Sequence, residues 1–138
     1  MDMRDLTDNV CIITGASSGI GAATARALVA ENAQVVLVAR SADKIEALAE
    51  ELGDNARAVT CDVGDADDVK RLFETVGQHY DGVDLLFNNA GVGYNDPFAD
   101  SKPEEWKKQI DANLYGVINC THAAIPMMKN RTAPMIST

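Results

Sequence analysis

The sequence predicts an α/β protein: one doubly wound parallel sheet, truncated at the start of its fifth strand. Three observations carry this. Short apolar, β-branched runs alternate with helical patterns four times at regular intervals. The run QVVLVA at Gln34–Ala39 is apolar almost without a break, the mark of a strand covered on both faces. A small bend rich in Gly and Ser joins the first run to the first helix, the connection a strand–helix–strand unit requires.

In chain order, the apolar run at 10–13 breaks at Thr14 and Gly15, and a helix rich in Ala extends over 20–31. The second strand is Gln34–Ala39. Ser41 caps a helix reaching Leu52, with Ile45, Leu48, Ala49 and Leu52 on one side and Gly53 ending it. Residues 56–61 form a third strand closed by Asp62. The helix over 65–80 sets Val69, Leu72, Phe73 and Val76 at helical spacing and acids in its first turn, where they favour the dipole. Residues 83–87 form the fourth strand, and residues 92–102, with Gly93 and Pro97, form a loop. A long helical region covers 103–129, with a kink expected near Asn113 or Gly116 and Pro126 disturbing its last turns. Residues 135–138 open a fifth strand. With no repeat and no linker, residues 1–138 read as a single, incomplete domain.

Twenty-one acids against twelve bases give a net charge of −9, which argues against nucleic acid or an anionic membrane as partner. Cys11, Cys61 and Cys120 are odd in number, lie in apolar surroundings and form no C-x-x-C, so they read as reduced core thiols of a cytoplasmic protein. The opening MDMRDLTDN carries no apolar leader, and no run approaches membrane-spanning length. His79 and His122 lack metal-like spacing, so no metal is expected.

The chemistry gathers at strand ends. Gly15, Gly19 and Gly21 in one strand-to-helix turn let backbone N–H groups approach a phosphate, and the following helix aims its positive end at the same place. No Lys–Ser/Thr pair follows, so this is not a P-loop. A Gly–Ser turn without a ligand is the competing reading of the turn alone. Against it, open parallel sheets bind ligands beyond the carboxyl ends of their strands. The distinctive residues of all four strands fall there: Thr14 and Gly15, Ala39 and Arg40, Asp62 and Val63, and residues 88–91.

TGASSGIG at 14–21, CDV at 61–63, NNAG at 88–91 and DANLYGV at 111–117 together resemble the short-chain dehydrogenase/reductase family, whose cofactor-binding part is a Rossmann-type sheet. The resemblance covers nearly the whole chain and implies a binding mode. Thr14, Gly15, Ser17, Ser18, Gly19, Ile20 and Gly21 would form the phosphate turn. Asp62 would bond the adenine amino group while Val63 flanks the ring. Asn89, Ala90 and Gly91 would line the ribose side. Asn113 matches the helix Asn of the family's catalytic proton relay, against the plainer reading of a polar residue that kinks a helix.

Members that prefer NAD end the second strand with an acid. Here that place is Ala39, followed by Arg40, which can pair a 2′-phosphate bidentately. An Arg at a helix start opposes the dipole, so a solvated surface role is the weaker reading, and NADP(H) is expected over NAD(H). The implied activity is hydride transfer between the coenzyme and a small-molecule carbonyl or alcohol, with a homo-oligomer for the complete protein. The main departure is the proton donor: Tyr80, Tyr94 and Tyr115 each lack a Lys four residues later, and Ser137 comes too early for the family's Ser. The sequence therefore reads as the cofactor half of an enzyme, with an uncovered sheet edge and marginal stability when expressed alone. A non-catalytic nucleotide-binding or interaction module, or a domain for another nucleotide such as a methyl donor, are the competing readings.

Overall fold

A computed structural model describes residues 5–138; the opening residues 1–4, on which the N-terminal reading partly rests, lie outside the described residues. Among the described residues, five parallel strands form one sheet: β1 (Val10–Thr14), β2 (Gln34–Ala39), β3 (Ala56–Thr60), β4 (Leu85–Phe87) and β5 (Met135–Ser137). Their order is β3-β2-β1-β4-β5, so the winding reverses between β1 and β4. The helices are α1 (Gly19–Ala30), α2 (Ala42–Leu52), α3 (Ala66–His79), α4 (Pro103–Ile110) and α5 (Gly116–Met128). In register, Ile12 lies between Val36 of β2 and Leu86 of β4.

Two cores follow from the two-residue period of the central strands. Cys11, Ile13, Val35 and Leu37 point to one face and meet Ala22 and Ala25 of α1 and Ile45 and Leu48 of α2. Ile12, Val36 and Val38 point to the other and meet Val69, Leu72 and Val76 of α3 and Cys120 and Ala124 of α5. Both faces are buried, which is why β1 and β2 read as unbroken apolar runs. β5 lies at one edge with all three residues exposed. No helix among the described residues is long and apolar enough to cross a membrane.

Three differences from the expected elements have physical causes. β4 starts at Leu85 rather than at residue 83 because Val83 donates its N–H to the carbonyl of Met127 in α5, at 2.9 Å, and not to a neighbouring strand. The long helical region is interrupted at Asp111–Tyr115 by a wide π turn, where the kink was expected. It crosses the end of β3 there, with Gly64 and Gly116 leaving room: a Cβ on Gly64 would stand 2.9 Å from the Asp111 carbonyl oxygen, and one on Gly116 2.6 Å from the Val63 side chain. Pro126 does not end α5, which runs on to Met128. The bond it removes would have ended on the carbonyl of His122, an exposed residue that water reaches.

The loop over 92–102 contains a single 3₁₀ turn at Phe98–Asp100. Phe98 stacks on Trp106 with ring centroids 5.2 Å apart, and the Trp106 indole N–H donates to the Ser101 hydroxyl at 2.7 Å. Loop and α4 are thereby tied together at their junction.

Candidate functional site

The reversal between β1 and β4 splays the chain outward beyond the carboxyl ends of both strands. The turn after β1 is folded backbone against backbone. Gly15 has φ +66°, and a Cβ there would stand 2.7 Å from the Asn89 carbonyl oxygen. A Cβ on Gly21 would fall on the carbonyl oxygen of Gly15. Gly19 also has positive φ, at +55°, but open space lies in front of it. The start of α1 is electrostatically uncompensated: Ser18 makes no side-chain cap and the first turn holds no acid. In α3, by contrast, Asp65 accepts from the N–H groups of Asp67 and Asp68, at 2.9 and 3.2 Å. The α1 terminus thus presents N–H groups and positive potential, and Ile20 beside it is 70% exposed.

Thr14 joins the ends of β1 and β4. Its buried hydroxyl accepts from the N–H groups of Asn89 and Ala90, both at 3.0 Å, and donates to the Phe87 carbonyl at 3.4 Å. The Asn89 amide donates to the Gly15 carbonyl at 3.2 Å. Thr14→Val keeps the shape but leaves two amide donors without an acceptor, so a loss of about 2–3 kcal/mol is expected. Urea unfolding would show it as a lower midpoint, with Thr14→Ser close to wild type. An unmoved midpoint in the Val variant would contradict this role.

At the end of β3, the Asp62 carboxylate accepts from the Gly64 N–H at 3.0 Å, and the Asp62 N–H donates to Asp68 at 2.7 Å. That N–H, with help from Arg71, holds the Asp68 carboxyl below its usual range. Val63 is buried against Gly116, and its carbonyl accepts from the Asn119 amide at 3.0 Å. Burial pushes the thiols of Cys61 and Cys120 up to about 12, so both stay protonated near neutrality and serve as packing rather than nucleophiles. At the end of β2, Arg40 is exposed and makes no ion pair among the described residues.

These four ends share one cleft. Gly15, Ser17, Arg40, Asp62, Val63, Ala90 and Gly91 line it, as the sequence reading grouped them. Ser41, Val92 and Ala112 also line it and were not singled out. Thr14, Gly21 and Asn89 do not line it but hold the turns together, and Ser18, Gly19 and Ile20 sit at the exposed start of α1. Asn113 stands behind the cleft in the π turn. Its amide oxygen accepts from the Val92 N–H at 2.8 Å and its amide nitrogen donates to the Val92 carbonyl at 2.9 Å, fixing the chain after Gly91. Asn119 also holds the end of β3 to α5 through that bond, and no pattern in the sequence marks it out beside Thr121 and His122. Among the described residues, no group of three or more His, Cys, Asp or Glu is placed to hold a metal.

The family model described as short chain dehydrogenase matches residues 9–137. A relative from Gallus gallus, "Dehydrogenase/reductase SDR family member 11", is 40% identical over 134 residues, covering 94% of this chain and 52% of its own. The chain thus spans about half the length of that curated relative. Among solved structures, a metagenomic short-chain oxidoreductase in complex with NADP superposes with a TM-score of 0.89 at 36% identity, over 96% of this chain and 62% of that one. A 3-ketoacyl-(acyl-carrier-protein) reductase from Brucella melitensis, complexed with NADH, gives 0.87 at 36% identity, over 90% and 52%.

Proposed function

This chain belongs to the short chain dehydrogenase family, and from that membership we propose an NADP(H)-dependent oxidoreductase that interconverts small-molecule carbonyls and secondary alcohols. The observation that carries the proposal is the cleft where the ends of β1 to β4 meet beside an uncompensated helix N-terminus. The NADP and NADH complexes of the structural relatives support a nicotinamide coenzyme.

The residues fit such a group. The Gly15 and Gly21 positions are closed to any side chain, and the space before Gly19 is open, as a backbone cradle for a diphosphate needs. In this reading Gly15 and residues 17–21 hold the diphosphate, with Thr14 bracing the turn. Asp62 and Val63 take the adenine, Ala90 and Gly91 border the ribose on a turn that Asn89 holds in place, and Arg40 pairs the 2′-phosphate beside the small Ala39. When bound, the nicotinamide supplies or accepts the hydride. Asn113, held to Val92 through both ends of its amide, acts as a positioning residue for the chain that borders the cleft.

We place the protein in the cytoplasm, with Cys11, Cys61 and Cys120 buried in its cores, and expect residues 1–138 to be the coenzyme-binding part of a homo-oligomer. The test is to follow NADPH oxidation by the complete protein with a panel of small ketones and aldehydes. Oxidation that depends on the carbonyl is expected. Coenzyme binding without turnover on any carbonyl would reduce the protein to a nucleotide-binding module.

A further inference from the structure

We propose that Lys108 of α4 is a second specificity-determining cation for the phosphorylated coenzyme, lining with Arg40 a recess at the adenosine end of the cleft. The inference rests on the coenzyme reading above and extends it to an element that the four strand ends do not include.

The cleft continues past Asp62 into a smaller recess. Arg40, Asp62, Val92 and Ala112 belong to both, and Tyr94, Lys108 and Asp111 complete the lining of the recess. Helical periodicity explains the placement: Lys108 lies one turn before Ala112, so both side chains share a face of the helix that enters the π turn. The neighbouring lysine is engaged elsewhere, since Lys107 donates to the Asp111 carboxylate at 2.6 Å. That pairing offsets the negative charge Asp111 would bring to the recess. Asp62 is the remaining acid there, and one of its oxygens already accepts from Gly64. Lys108 is exposed and makes no ion pair among the described residues.

A chain of net charge −9 thus places two unpaired cations, from two separate elements, on one small recess beside the residues assigned to adenosine. The helix dipole accounts for a base near the C-terminal end of α4, but not for its sharing a recess with Arg40. A flexible ammonium is suited to a partner that arrives with its own charge and can be met over a range of positions. A 2′-phosphate brings that charge; an unmodified ribose does not.

The experiment is a titration of the full chain with NADPH and with NADH, at low and at moderate salt, for wild type, Lys108→Ala, Lys108→Arg, Arg40→Ala and Lys129→Ala. Lys129, at the end of α5 and outside the cleft, carries the same change in net charge. Lys108→Ala is expected to weaken NADPH about fivefold, with NADH changed less than about twofold, because an exposed charge pair with phosphate is worth little more. Lys108→Arg should retain the preference, and Lys129→Ala should leave both affinities in place. The loss should shrink with added salt.

If wild type prefers NADPH and Arg40→Ala abolishes the preference while Lys108→Ala leaves it intact, the role of Lys108 is overturned and the coenzyme reading survives. An equal loss in Lys129→Ala would also overturn it, as an effect of net charge. If wild type binds the two coenzymes equally, the preference itself fails and Lys108 falls with it.

Discussion

Arg40→Ala is expected to weaken NADPH binding by about ten- to a hundredfold while leaving NADH nearly unchanged, the range for a charged hydrogen-bonding partner lost to a phosphate. The size follows from the site. Arg40 lines the cleft at the end of β2, is exposed, and makes no ion pair among the described residues, so its guanidinium gives up no charged partner to meet an incoming anion. Ala39 before it offers neither a carboxylate to repel a phosphate nor bulk to exclude one. Arg40→Lys should retain part of the affinity, since an ammonium supplies the charge without the planar fork. Equal losses for both coenzymes would show that Arg40 contributes a general field rather than contact with the 2′-phosphate.

Gly15→Ala and Gly19→Ala should separate folding from binding. At Gly15 the added methyl meets backbone, 2.7 Å from the Asn89 carbonyl oxygen and 2.9 Å from the Ala90 nitrogen, at a φ of +66°. Left-handed strain and overpacking together predict a loss of about 3–4 kcal/mol. That is a large part of the stability of an ordinary domain, so the variant should unfold at much lower urea and bind no coenzyme. At Gly19 nothing stands within 4 Å of the added methyl, so only the φ of +55° is penalised, at about 1 kcal/mol. Gly19→Ala should therefore fold, yet bind NADPH at least about tenfold more weakly, because the methyl fills space a diphosphate needs. If Gly19→Ala binds as wild type does, the open space before Gly19 is not where the diphosphate lies.

Much of this architecture was legible because local rules and tertiary structure agree. The unbroken apolar runs of β1 and β2 announce strands buried on both faces, and both are interior strands of the sheet. The glycine turn was legible because close backbone approach leaves a compositional trace. What escaped depends on contacts that leave none. The Asn113 amide meets Val92 across 21 residues of sequence, and nothing in the intervening loop signals that pairing. The Thr14 hydroxyl is one threonine among many until β4 is set beside β1. Lys107 and Lys108 are adjacent and chemically alike, and only the helix phase sends one to Asp111 and the other to the cleft. At Pro126 a local rule predicted disruption, but the lost bond belongs to an exposed residue, His122, and the helix continues to Met128.

The central claim is that the turn after β1, with the ends of the neighbouring strands, holds a nicotinamide coenzyme. Calorimetric titration of the folded chain with NADPH, and separately with NADH, tests it most directly. One molecule of NADPH per chain should bind with measurable heat, NADH should bind more weakly, and Gly19→Ala should bind little of either. Absence of heat with both coenzymes, on material whose cooperative melt shows it to be folded, would contradict the account.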